Sequence, residues 1–221
     1  MMRLPVQTMS ASSTDKGLLT PENCAVIFDG HQLFLGVSAI DRQALHNNFL
    51  ILAKAAKIFS VPVILTAIEA RELSGNIAPQ VLALFQEVDP VERTSMNSWD
   101  SAEFVRAVKR TGRKNFLLAA LWAETCLTFP ALQMLEEGYG IYPVEDASGG
   151  VTAAGRAAAI RRVEQAGAVC VTALQVLLEF QRDWSRKDHY DEVMVVLREH
   201  CCPQGQSISV SALKTASPYR P

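Results

Sequence analysis

Short apolar runs alternate along this chain with longer stretches of helical period. The runs at 24–29, 62–68, 90–93, 115–121, 140–145 and 168–173 are rich in Val, Ile, Leu and Ala. Such near-continuous runs predict six strands buried on both faces, as in a parallel sheet. Between them, 41–59 carries Leu45, Phe49, Leu52, Ala56 and Phe59 at spacings of three and four, the stripe of an amphipathic helix, with Asp41 as its N-cap. Helices are also predicted over 78–86, 100–111, 124–137, 152–166 and 173–184, with Gly112, Gly138 and Gly167 as C-terminal stops. Strand and helix in alternation make βαβ units, so the expected fold is one α/β domain. The common strand order for such a sheet is 3-2-1-4-5-6.

The 221 residues, 49% of them hydrophobic, suffice for one sizeable core. That core is expected within 20–184. Residues 1–19 read as a loose arm, and 185–221 as a charged helix (187–200) followed by a Pro-, Ser- and Gly-containing tail, expected to pack on a neighbouring subunit. Neither repeats nor low-complexity tracts interrupt the chain.

Charge narrows the partner. With 21 basic and 23 acidic residues dispersed along the sequence, no basic face offers itself to nucleic acid or to an anionic membrane. The expected partner is a small molecule or a second copy of the chain. No run approaches the roughly 20 apolar residues of a membrane span, and the first 19 residues lack a signal-peptide core. Five cysteines, an odd number at irregular spacing, argue against a disulfide framework and for a reducing, cytoplasmic location.

One stretch combines these elements with chemistry. In 117–132, "LLAALWAETCLTFPAL", an apolar strand, a polar break and a helix follow in sixteen residues, with Cys126 at the hinge. Ligands of open parallel sheets bind beyond the carboxyl ends of the strands, where the strand order reverses. In the order 3-2-1-4-5-6 that crevice lies between strand one, ending at Asp29, and strand four, leading into Cys126. A thiol at a helix start lies in the positive end of the backbone dipole, which favours the thiolate. Neighbouring N–H groups could form an oxyanion hole, and Asp29 could take the thiol proton. The alternatives are a small buried cysteine, and an aspartate that merely caps its own loop. Cys24 and Cys170, inside apolar runs, are expected to be core; Cys201 and Cys202 are expected to be ordinary thiols.

From about residue 23 to 184 the chain resembles the isochorismatase-like cysteine hydrolases. The resemblance is carried by "AVIFD" with Asp29, "ERTSMNSWD" with Arg93 and Asn97, "ALWAETCLTFPALQMLEEGY" with Cys126, and "VEDASGG" with Asp146. It implies a Rossmann-like three-layer α/β/α sandwich and an Asp, Lys and Cys triad whose thiolate attacks an amide or related carbonyl. Carried over, Cys126 is the nucleophile, Asp29 the base, and the backbone amides of Trp122 and Cys126 the oxyanion donors, with a cis peptide at Leu121–Trp122. Assembly into homo-oligomers is also common among relatives.

This sequence departs from that pattern twice. The family's lysine position falls on Arg93, which keeps the positive charge but cannot shuttle a proton; a surface salt bridge is its alternative role. The loop after Asp29, "GHQLFLGV", differs from the usual spacing by a residue. Relatives acting on nicotinamide carry an Asp and His metal cluster after the second strand, and "AIEARELSGNIAPQ" contains no histidine, so neither a catalytic metal nor another cofactor is expected.

His31, Asn97, Trp99 and Trp122 are the candidates for the pocket wall, although a loop histidine is more often merely polar, and tryptophans as readily fill a core or subunit interface. Substrate does not follow from fold. The leading expectation is a metal-free amidohydrolase; the alternative is a silent binding or scaffold protein on the same fold. A dinucleotide-binding oxidoreductase does not fit, because "DGHQLFLG" lacks a glycine-rich phosphate turn and "SGGVTAAG" (148–155) lies in the wrong crossover.

Overall fold

Strands β1 (Cys24–Asp29), β2 (Val63–Ile68), β3 (Val91–Arg93), β4 (Asn115–Ala120) and β5 (Gly140–Pro143) form one parallel sheet of order β3-β2-β1-β4-β5. The computed structural model of the chain describes residues 17–32, 42–69 and 77–201; the proposed N-cap Asp41, most of the N-terminal arm and Cys202 lie outside them. Helices α1 (Arg42–Ile58), α2 (Pro79–Leu84), α6 (Ala173–Gln181) and α7 (Tyr190–His200) cover one face, and α3 (Ala102–Arg110), α4 (Thr128–Glu136) and α5 (Ala153–Gln165) the other.

Strand β1 shows why the sandwich has two cores. Its side chains alternate across the sheet. Cys24, Val26 and Phe28 join the α1 and α6 layer, whereas Ala25 and Ile27 join the α3, α4 and α5 layer. All are essentially inaccessible to solvent. Truncating a side chain such as Phe28 to Ala would cost about 3–5 kcal/mol. Gly112, Gly138 and Gly167 follow α3, α4 and α5 in the left-handed conformation, as expected of helix stops.

The sixth strand does not form. Residues 168–173 run beside β5, with Val169 and Val171 donating to Ile141 and Pro143, but they make only one isolated bridge, Val144 to Val171. Pro143 ends β5 with no N–H to give, and the chain turns at once into a 3₁₀ turn at Glu145–Ala147. On the other side Thr172 already caps α6, its hydroxyl accepting from Gln175 N–H. The ladder has no room to extend.

The core also reaches beyond the expected domain limits. Leu19 is buried, and its backbone is held by Glu179 of α6 and by Arg182 just past its end. Val193 and Val196 of α7 sit in the same core as α1, and Lys54 of α1 pairs with Glu199. The charged tail helix thus packs on its own chain.

Candidate active site

Three strands deliver the chemistry to one end of the sheet. Asp29 and Arg93 are the last residues of β1 and β3, and β4 runs on into the turn that carries Cys126. Two strand spacings, roughly 10 Å, separate β3 from β1, so only a long side chain can bridge them. Arg93 does so across β2. Its Nε donates to Thr66 Oγ1 at 3.1 Å, and its Nη1 donates to the Ser95 carbonyl. Nη2 donates to Asp29 Oδ1 and, at 3.4 Å, to Cys126 Sγ. All three charged or nucleophilic groups are buried. Arg93 is therefore no surface salt bridge, and Asp29 is no simple loop cap.

Cys126 occupies a π turn, Ala123–Leu127, rather than the first turn of an α-helix. Pro130 explains the widening: it has no N–H for the carbonyl of Cys126, four residues back, and α4 starts afresh at Thr128. Thr128 Oγ1 satisfies the Ala123 carbonyl at 2.7 Å. The Leu121–Trp122 peptide just upstream is cis. Gly30 makes the close approach possible. It adopts φ +73°, and a Cβ there would lie 2.5 Å from the Leu121 carbonyl oxygen and 3.5 Å from Cys126 Sγ.

The electrostatics correct one expectation. Burial pushes the Cys126 thiol up, the Asp29 charge pushes it further, and Arg93 pulls back only in part. Placement after strand four suggested a depressed thiol, but desolvation outweighs the helix-end field. Burial raises the Asp29 carboxyl as well, with Arg93 the largest opposing influence. Asp29 Oδ2 and Ser98 Oγ are both buried without a hydrogen bond.

The isochorismatase domain profile matches residues 24–175. The chain belongs to the isochorismatase domain family. It is 37% identical over 169 residues to the probable hydrolase YcaC of Escherichia coli, covering 75% of this chain and 81% of that one. Among solved structures, YcaC of Pseudomonas aeruginosa with hexane-2,5-diol and covalent acrylamide is 33% identical with a TM-score of 0.81, covering 85% of this chain and 94% of that one. Escherichia coli YcaC, an octameric hydrolase of unknown specificity, gives 34% identity and a TM-score of 0.81, covering 85% and 93%. The similarity to these YcaC proteins runs over most of the chain.

Not every candidate joins the isochorismatase-type cluster. Trp122, half-buried, precedes the π turn directly. His31 instead stacks on Phe49 of α1 at 4.2 Å between ring centres and bonds the Ala147 carbonyl through Nε2. Asn97 caps the 3₁₀ turn Ser98–Asp100, accepting from Trp99 N–H, and donates to Asp100 and to Gln133 of α4. The Trp99 indole packs on Phe104 and Tyr139 and donates to Glu137. Asn97 and Trp99 thus brace the turn that sets Ser98 beside Asp29. Asp146 accepts from Ala173 N–H at the start of α6.

Sequence reasoning missed Thr66, Ser98, Gly30 and Gln32. Gln32 extends β2 artificially, its amide exchanging two hydrogen bonds with the backbone of Ile68. Thr66 had a signal available: it is the one hydroxyl in the apolar run VILTAI, and it pairs in register with Asp29.

Proposed function

We infer that the chain is a cysteine hydrolase that cleaves a C–N bond of a small amide-type substrate through a thioester on Cys126. What supports this is one guanidinium, Arg93, in hydrogen-bonding reach of both a buried carboxylate and a buried thiol. Two acids share one cation, so a single negative charge is comfortable in the crevice. The proton rests on sulfur while Asp29 pairs with Arg93, and it moves to Asp29 when sulfur attacks. Arg93 orients both partners throughout and gives up no proton.

In the first half-reaction Sγ bonds the carbonyl carbon, Asp29 takes the thiol proton, and the proton passes to the leaving nitrogen as the C–N bond breaks. In the second, Asp29 takes a proton from water, hydroxide adds to the thioester, and the C–S bond breaks as the thiol regains its proton. The backbone amides of Trp122, just before the turn, and of Cys126 within it are assigned to the oxyanion. Every step uses side chains and amides of this chain. The covalent acrylamide in Pseudomonas aeruginosa YcaC supports a nucleophile in a similar fold, since acrylamide is an electrophile. The octameric Escherichia coli YcaC supports a homo-oligomer here too.

The test is ammonia or amine release from a panel of small primary amides and carbamoyl compounds. Cys126→Ala abolishes release with an unchanged circular dichroism spectrum; undiminished turnover overturns the reading. A second reading, a silent binding protein on the same fold, is favoured by the raised thiol and by an arginine that cannot shuttle. It predicts no turnover on any amide.

A further inference from the structure

The glycine-containing stretch 148–155, SGGVTAAG, has no part in the chemistry above, yet it grips the nucleophile turn at several points. Gly149 donates to the Ala120 carbonyl at 3.0 Å and accepts from Ala123 N–H at 2.6 Å, bracketing Leu121 and Trp122. Ser148 Oγ accepts from Ala120 N–H and donates to the Val144 carbonyl. The next contact is a side chain. Glu124, two residues before Cys126, reaches into the loop, and its Oε1 accepts from Val151 N–H at 3.0 Å.

The glycines are spaced for that carboxylate. A Cβ on Gly155 would lie 2.4 Å from Glu124 Oε1, and one on Gly150 3.0 Å from Oε1 and 3.1 Å from Oε2. Gly155 also lies in the first turn of α5, a helix of 13 residues capped by Thr152. Backbone N–H groups and the positive end of a helix favour an anion here, and the chain supplies its own. Glu124 Oε2 is buried without a hydrogen bond.

We propose that Glu124 is a positioning residue for Cys126: its carboxylate is the built-in anion of the 148–155 loop and fixes the π turn in the register that sets Sγ against Arg93. The inference rests on the reading of Cys126 as nucleophile. A shorter side chain leaves the glycine nest empty, and the turn loses its only side-chain tether to the loop among the bonds described. A pocket of about 250 Å³, lined by Glu124, Thr128, Gly155, Ala158, Ala159 and Arg162, opens beside the carboxylate and gives a small anion access.

The experiment follows alkylation of Cys126 by iodoacetamide against pH, assigned to that cysteine by mass spectrometry, on the full chain. Glu124→Ala is expected to react about tenfold more slowly or worse, the scale of a modest misplacement. Added sodium formate is expected to recover part of the rate, with sodium chloride at equal ionic strength as the control. Glu124→Gln, which keeps an acceptor for Val151 N–H, is expected to stay within a few-fold of wild type. Gly155→Ala gives an independent reading, because alanine is ordinarily the better helix residue. Here it is expected to slow alkylation in the wild-type background and to have no effect beside Glu124→Ala.

A folded Glu124→Ala that alkylates at the wild-type rate and pH dependence overturns the proposal. So does a Gly155→Ala that leaves Cys126 unchanged, which decides the matter alone should Glu124→Ala fail to fold. Loss of amide turnover claims is a separate outcome: if these alkylation effects appear in a protein that hydrolyses no amide, the positioning role stands and the hydrolase reading falls.

Discussion

Arg93 Nη2 lies 3.4 Å from Cys126 Sγ while donating to Asp29 Oδ1. One nitrogen therefore senses the protonation of both acids. Its second nitrogen and Nε are fixed by the Ser95 carbonyl and Thr66 Oγ1, so it cannot follow one partner and abandon the other. The ionisation of sulfur and carboxylate is coupled through this fork.

Replacing Asp29 with Asn separates reactivity from turnover. The amide removes the negative charge that pushes the thiol up, leaving Arg93 to pair with sulfur alone. Iodoacetamide should modify Cys126 faster at neutral pH than in the wild type. Amide hydrolysis should fall by roughly 10²–10⁴, the usual contribution of a general base. Parallel losses in both assays would count against Asp29 as the base.

Arg93→Met leaves the Asp29 carboxylate buried without its cation. Breaking such a pair by removing one partner costs about 3–5 kcal/mol, to be read from the urea midpoint. The sign with pH follows from the raised Asp29 carboxyl. The folded variant binds the proton more readily than the unfolded chain, so the loss is greatest at neutral pH and shrinks in acid. Arg93→Lys keeps the charge but loses the fork, and should retain part of the stability.

Gly30→Ala tests the close packing under the site. The left-handed conformation costs a non-glycine residue roughly 1–2 kcal/mol, and the added Cβ meets the Leu121 carbonyl at 2.5 Å. Both thermal stability and Cys126 alkylation should drop. Unchanged alkylation would show that the turn tolerates a displaced β1 terminus.

His31 sets a pH limit on the fold. Burial lowers it from 6.5 to about 4, so the unfolded chain takes up a proton that the folded protein refuses. Stability is complete above pH 6.5 and declines as pH falls toward 4, by about 3 kcal/mol at 1.36 kcal/mol per pKa unit. His31→Phe, which keeps a ring against Phe49, should flatten denaturation midpoints measured across that window.

Assembly can be read from mass. Light scattering is expected to give a multiple of the 24.2 kDa chain. The exposed apolar side chains of Met96, Val151, Val169 and Trp184 offer surface for such contacts. A particle of one chain's mass would refute the oligomer.

The sequence by itself determined five of the six expected strands and most helices, because buried parallel strands are continuous apolar runs and helix stops are local backbone events. β1 falls where its run CAVIFD lies. It also singled out Asp29, Arg93 and Cys126, through motifs that survive in linear form, and these three side chains do meet. The tertiary structure decided what those residues are to one another. Arg93 meets Asp29 and Cys126 across separations of 64 and 33 residues, over a strand whose Thr66 no periodicity marks. It placed His31, Asn97 and Trp99 in bracing contacts, stopped the sixth strand at Pro143, and raised the thiol that its helix-end position had suggested would be low. Propensity and pattern are properties of neighbours in sequence, whereas desolvation and charge pairing depend on which distant groups exclude water from the same few ångströms.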